Sequence, residues 1–411
     1  MDKRKIGTLA AVAALALAAC SGGSGGGGGG SKGEIEIWSS LPRQGSSKAQ
    51  SDTIVNAINL AIEEKKGVAG GYTIKYTDKD DSTAAAGKWD EATEIKNAND
   101  AVADDKLVAY IGTFNSGAAK LSIPILCGKG IPMVSPANTY PGLTKAGKGE
   151  ADEPDKYYPN GCTRNYFRVV AADDLQGLAG AKWAAKLGAK NVYVLDDTEL
   201  YGKGIADVFN KEAPGAGLTV LGRDGIDGKA TDYKALAEKI KATNPDLVYF
   251  GGITQNNAGQ LWRDLRDAMP NVKLMGPDGI LEQEWIDAAG AAAEGTYITF
   301  GGLPADKLTG KGADFVKNYN AKYPNNPPEA YTAYGYEAAG TVLAAIEKAA
   351  AANPADTLAL RAGVLKAIAE TKDYDGALGK WSFNQEGDTS LTAMSGNIVK
   401  DGKFQFDSVI E

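Results

Sequence analysis

Histidine is absent from all 411 residues. That removes Ser-His-Asp and Cys-His nucleophilic centres, together with the commonest zinc ligand and the commonest general base. Carboxylate or Ser-Lys chemistry stays open, with Asp196, Asp197 and Asp278 as the acids such a hydrolase would use, but no paired-acid motif supports it. An enzyme is therefore not expected, and neither is a cofactor or a metal. Cysteine is nearly as scarce, with Cys20, Cys127 and Cys162 the full set and no C-x-x-C spacing for a metal or redox centre. Basic residues are outnumbered by acidic ones, giving a net charge of −8. No basic footprint for a phosphate backbone exists, which argues against nucleic acid as a partner. Nucleotide motifs fail as well: no Gly-Lys is followed by Ser or Thr, and Gly202-Lys203-Gly204 lacks the third glycine of a dinucleotide fingerprint. After the first twenty residues no apolar run is long enough to span a bilayer.

Those first twenty residues form a leader. Lys3, Arg4 and Lys5 are followed by an apolar stretch, Leu9 to Ala19, and then by Leu17-Ala18-Ala19-Cys20. This is a secretory signal, too short for a stable transmembrane helix. A cysteine at the cleavage point resembles the bacterial lipobox, which implies a signal peptide over 1–19 and lipid attachment at Cys20. The alternative is an ordinary signal peptide with an incidental cysteine. The segment 20–32, with its glycine run from Gly25 to Gly30, has no side chains to pack and reads as a flexible tether. The body is thus expected outside the cytoplasmic membrane, monomeric and held to the membrane by its lipid. In an oxidising compartment the two remaining cysteines, Cys127 and Cys162, read as a disulfide, the alternative being two unrelated buried thiols.

From Glu34 onward, short apolar strands alternate with amphipathic helices. Strands are expected at Ile35–Trp38, Tyr72–Tyr76, Leu107–Ile111 and Pro132–Val134, with helices at Gln50–Lys66, Lys88–Asp105 and Ser116–Cys127. After a proline-rich stretch, Tyr140 to Arg164, the theme repeats from Asn191 to Phe300. Ala313 to Thr371 returns to helices, and Trp381 to Ile410 reads as short strands. This alternation predicts an α/β protein with two doubly wound, parallel-sheet lobes. The helical tail is too large for the second lobe alone, so the chain is expected to cross between lobes more than once.

In such sheets ligands bind beyond the carboxyl ends of strands. Gly112 to Gly117 follows one strand and puts Ser116 at a helix N-terminus, suited to a carboxylate; equally, Asn115 or Ser116 merely caps the helix. Ser135 to Pro141 is bracketed by prolines and either preorganises the Thr139 hydroxyl or simply connects. Asp278, between Pro277 and Gly279, suits a tight turn or faces a ligand ammonium.

In these loops the chain resembles the branched-chain amino acid (Leu/Ile/Val)-binding proteins of ABC-type uptake systems, in lipoprotein form. The resemblance rests on Tyr110-Ile111-Gly112, Pro132 to Ala137, Tyr201-Gly202-Lys203-Gly204, Val248 to Gly252 and Gly276-Pro277-Asp278-Gly279, in that order and spacing. It implies a type I periplasmic-binding fold with a multi-strand hinge, an N-terminal lobe of 33–168 plus 302–377, and a C-terminal lobe of 169–301 plus 378–411. It also implies an amino acid held between the lobes and delivered to the membrane subunits of an ABC permease by hinge closure. Carried over, Ser116, Thr139 and the backbone of Ala137 and Asn138 grip the α-carboxylate. Tyr201 lies against the ligand, Asp278 takes the ammonium, and Phe114 and Ile253 line the side-chain pocket. Ile253, Ser47 and Lys48 stand where relatives often carry aromatic residues. An amide, urea or small aromatic carboxylate is therefore the alternative solute, and Lys48, if it faced the cleft, would favour an acidic one.

Overall fold

The computed structural model describes residues 31–410. The leader, Cys20 and the tether up to Gly30 lie outside the described residues. Lys32 is already tied to the body, its N–H on the Gly71 carbonyl at 2.9 Å and its Nζ on the Ala350 carbonyl at 2.9 Å.

Two sheets organise the chain, as the α/β alternation requires. The first orders its strands Val68–Ala69, Tyr72–Asp80, Glu34–Leu41, Leu107–Gly112, Met133–Ser135 and Tyr166–Arg168, all parallel except the two-residue edge strand. The second runs Thr219–Gly225, Asn191–Asp196, Leu247–Gly251, Lys273–Gly276 and Tyr297–Phe300 in parallel. Met394–Lys400 and Lys403–Ile410 then extend it antiparallel, so it is a mixed sheet rather than a wholly parallel one. Central strands such as Leu107–Gly112 and Leu247–Gly251 are buried along their whole length, which is why they read as unbroken apolar runs.

Strand order reverses beside the first strand of each sheet. Glu34–Leu41 lies between Tyr72–Asp80 and Leu107–Gly112, and Asn191–Asp196 lies between Thr219–Gly225 and Leu247–Gly251. Connections on either side of a switch point leave to opposite faces, which opens a crevice at the strand ends. The loops after Gly112 and after Gly251 border these crevices.

The later helices return to the first sheet. Thr332–Ala350 runs along Lys48–Glu64, where a Cβ on Gly335 would meet Ile54 at 2.8 Å, and Thr332 Oγ1 bonds Thr53 Oγ1 at 2.6 Å. Arg361, on Thr357–Ala369, donates to the Leu107 carbonyl at 2.7 Å. The chain stays there as far as Asp388: Phe383 packs on Phe167 at 5.2 Å between centroids. Its return to the second sheet comes after Asp388. At this point Arg168 Nε donates to Asp388 Oδ1 at 2.6 Å, and the Arg168 N–H donates to the Gly387 carbonyl at 3.0 Å. The chain therefore passes between sheets three times, after Arg168, after Phe300 and after Asp388, and the Arg168–Asp388 pair binds the first and third passages together.

Three elements differ from expectation. Lys88–Trp89 is not the start of a helix but pairs with Ser82–Thr83, and the helix begins at Glu91, where Asp90 Oδ1 accepts the Thr93 N–H at 2.9 Å. A strand at Tyr166–Arg168 and a helix at Asp173–Lys186 occupy a stretch where none was predicted. Gly177 and Gly180 in that helix let it lie close to Leu200–Glu212; a Cβ on Gly177 would meet Val208 at 2.6 Å. Cys127 and Cys162 are joined in a disulfide that closes the 140–165 loop against the helix Ser116–Cys127. Among the described residues no helix is long and apolar enough to cross a membrane.

Candidate functional site

The strand Leu107–Gly112 ends on a glycine that only a glycine can supply: φ is +154°, and a Cβ there would meet the Ser40 carbonyl at 2.7 Å. The chain then turns through Thr113, Phe114 and Asn115 into the helix Ser116–Cys127, whose first turn has no side-chain cap. Ser116 is buried, and its Oγ accepts the Tyr140 N–H at 3.3 Å, leaving its own proton free to donate.

The second loop is folded around Ser135. Its Oγ accepts the N–H groups of Ala137 at 3.1 Å and Asn138 at 2.8 Å and donates to the Thr113 carbonyl at 2.9 Å. Those two N–H groups are thus used inside the loop. The Asn138 side chain is committed too, donating to the Phe114 carbonyl at 2.9 Å and accepting the Tyr166 hydroxyl at 3.1 Å. Thr139 differs. Its hydroxyl is buried with no partner, while its carbonyl accepts the Asp173 N–H at 2.9 Å. Ser116 and Thr139 are the two side chains on this wall with hydrogen-bonding capacity to spare.

On the opposite wall the centre is Asp278, after the strand Lys273–Gly276 and Pro277. Its Oδ1 accepts Gln176 Nε2 at 2.6 Å and the Tyr201 hydroxyl at 2.8 Å, and its Oδ2 accepts the Tyr331 hydroxyl. All three donors are neutral. Burial raises the Asp278 carboxyl above the usual range, against the lowering effect of these hydrogen bonds. Asp173 stands close by, fully buried, with neither carboxylate oxygen partnered. Burial first, and then repulsion from Asp278, pushes it well above the ordinary carboxyl value. Two buried acids side by side, neither in an ion pair and with the Arg168 guanidinium drawing down only Asp173, are an arrangement that a ligand ammonium would relieve.

The remaining expected residues lie around this pair. Ile253 packs with Tyr201 and Ile205, and its N–H donates to Asp197 Oδ2 at 3.0 Å. Phe114 is half-buried and meets the Tyr331 ring edge-on at 5.7 Å. Lys48 is exposed and paired with Asp52 at 2.5 Å. Three residues that sequence reasoning did not single out, Asp173, Gln176 and Tyr331, complete the centre.

The walls touch at both margins. Ser47 donates to Glu282 Oε1 at 2.6 Å on one side; on the other, Lys88 Nζ donates to Asn256 Oδ1 at 2.8 Å and also pairs with Glu199. Tyr140 lies against Gly204, where a Cβ would meet its ring at 2.5 Å. Such a cleft encloses its contents away from water, where charge pairing is strengthened.

Comparison with known proteins agrees with this architecture. Residues 34–401 match the periplasmic binding protein family. A Leu/Ile/Val-binding protein of Rhizobium johnstonii is 30% identical over 370 residues, 89% of this chain and 91% of that protein. An amino acid binding protein of Pseudomonas aeruginosa is 28% identical over 81% of this chain and 84% of its own length. Among solved structures, a leucine binding protein of Thermotoga maritima superimposes with a TM-score of 0.79 at 26% identity, covering 92% of this chain and 99% of that one. A Rhodopseudomonas palustris solute binding protein in complex with benzoate shares the fold at TM-score 0.74 and 20% identity, covering 92% of this chain and 96% of that one. With its two switch-point crevices and this match along its length, the chain belongs to the periplasmic binding protein family, in the type I, branched-chain amino acid-binding group.

Proposed function

We propose that the protein is an extracytoplasmic receptor, anchored by a lipid on Cys20, that binds an α-amino acid between its lobes and delivers it to an ABC-type permease. The observation that carries the reading is the buried Asp278, held by three neutral donors and adjacent to the unpartnered Asp173. An ammonium would bind there, while Ser116 and Thr139 donate to the α-carboxylate from the other wall. A ligand held from both walls stabilises the closed state in proportion to the contacts it makes only in that state. No bond is made or broken. Relatives named for leucine, isoleucine and valine support the amino-acid class. A carboxylate without an ammonium, such as the benzoate of the R. palustris structure, would leave both acids without a cation.

The test is a thermal-shift screen of the purified protein against the common amino acids, urea, short amides and benzoate. A true ligand at about 100 times its dissociation constant adds roughly 2.7 kcal/mol to stability. Stabilisation by benzoate or urea, with no amino acid effective, would overturn the reading. Replacement of Cys20 by alanine should move the protein from the membrane fraction to the soluble extracytoplasmic one; unchanged fractionation would refute the anchor.

A further inference from the structure

The far end of this cleft is acidic. Glu282, just before the helix Gln283–Ala289, is 1% exposed. Its Oε1 accepts Ser47 Oγ at 2.6 Å and Gln50 Nε2 at 3.4 Å from the first wall, whereas its Oε2 is buried without a partner. Tyr331 links this carboxylate to the ammonium acceptor: its hydroxyl donates to Asp278, and its N–H donates to Gln50 Oε1 at 3.3 Å. Two residues earlier stands Glu329, half-buried, whose carboxyl is pushed up to about 8 by burial and then by the charges of Glu284 and Glu282. Burial likewise pushes Glu282 up to about 7.

The Arg168 guanidinium lowers the Asp173 carboxyl without pairing with it. Among the described residues, Asp173, Asp278, Glu282 and Glu329 form no ion pair, and the basic side chains at the cleft margins are committed elsewhere. Lys48 and Arg43 are paired with Asp52, and Lys88 with Glu199. The positive end of an α-amino acid answers Asp278, and its carboxylate is received by hydroxyls. Glu282 Oε2 remains without a partner. An aliphatic side chain would seal Glu282 Oε2 away from water without offering a donor, the costly outcome for a buried acceptor.

We infer that the side-chain subsite takes a cationic end, the ammonium or guanidinium of a basic amino acid, received by Glu282. The inference rests on the amino-acid reading and names the substrate class within it. A guanidinium or ammonium supplies several donors to carboxylate oxygens in charge-assisted bonds. It also draws the Glu282 carboxyl into its charged form, so binding should release protons near neutral pH.

Titration calorimetry with L-lysine, L-ornithine, L-arginine, L-leucine, L-valine and L-glutamate tests it. The basic amino acids should bind at least about tenfold tighter than leucine, a difference of roughly 1.4 kcal/mol. Glu282→Gln should weaken lysine and arginine binding by about tenfold and so erase their preference over leucine. Leucine or valine binding as tightly as lysine and arginine would overturn the inference and leave the amino-acid reading standing. Failure of every amino acid to bind would overturn both.

Discussion

Replacing Asp278 by asparagine separates the charge at the centre of the cleft from its shape. The side chain keeps its size and one acceptor oxygen, and the Tyr201 and Tyr331 hydroxyls can rotate to accept from the new amide. The free protein loses a carboxylate that burial already disfavours and that repels Asp173. Its stability in the absence of ligand should therefore hold or rise. Ligand binding behaves oppositely. An ammonium about 2.8 Å from the carboxylate gains roughly 6 kcal/mol of gross attraction at an effective dielectric constant near 20. Desolvation of the ammonium offsets part of that, and truncating one member of a buried charged pair costs about 2 to 5 kcal/mol. A loss of about 3 kcal/mol, roughly 160-fold in dissociation constant, is the expected result. Calorimetry with the amino acid ligand gives the affinity, and thermal unfolding of the ligand-free protein gives the stability. Affinity within about threefold of the parent, a change under 1 kcal/mol, would remove Asp278 from the site. Equal loss of affinity and of ligand-free stability would mean that it serves the fold.

Gly204→Ala places a methyl group 2.5 Å from the Tyr140 ring, which cannot swing aside because its hydroxyl is held by Glu153 Oε2 at 2.7 Å. Closure should be hindered by about 1 to 3 kcal/mol, seen as weaker ligand binding with unchanged ligand-free unfolding; undiminished affinity would refute the closure contact. Asp388→Ala leaves the fully buried Arg168 without its partner and should destabilise the protein by about 3 to 5 kcal/mol in a denaturant titration; a loss below about 1 kcal/mol would refute that role. Burial pushes the carboxyls of Glu94, Asp197, Glu282 and Glu337 up to about 7. Since such groups titrate near 4 when unfolded, the native state binds more protons between pH 4 and 7, and stability should fall as pH rises through that window. A melting temperature that climbs from pH 5.5 to pH 8 would contradict this.

Much of the scaffold is legible in local pattern. Buried parallel strands read as apolar runs, and the helices Ser116–Cys127 and Ala258–Ala268 begin and end where their periodicity does. The loops that follow strands locate Ser116, Thr139, Tyr201 and Asp278. What local pattern misses is set by packing. Asp173–Lys186 is buried on several sides and built largely of small residues, so no apolar stripe separates from a polar face, and its glycines suggest a loop. That helix carries Asp173 and Gln176. Tyr331 reaches Asp278 from a segment that belongs to the other sheet, a juxtaposition visible only in three dimensions. The Ala137 and Asn138 N–H groups show the converse: a loop that looks poised to present them folds them onto Ser135 instead.

Three passages between two sheets make a hinge that resists more than it permits. Bodies joined by one strand can swing and swivel within a cone; three tethers, two of them clamped by Arg168 and Asp388, restrict the swivel. A jaw so restricted returns its walls to nearly the same registration at every closure. Little orientational entropy then remains for a ligand to remove.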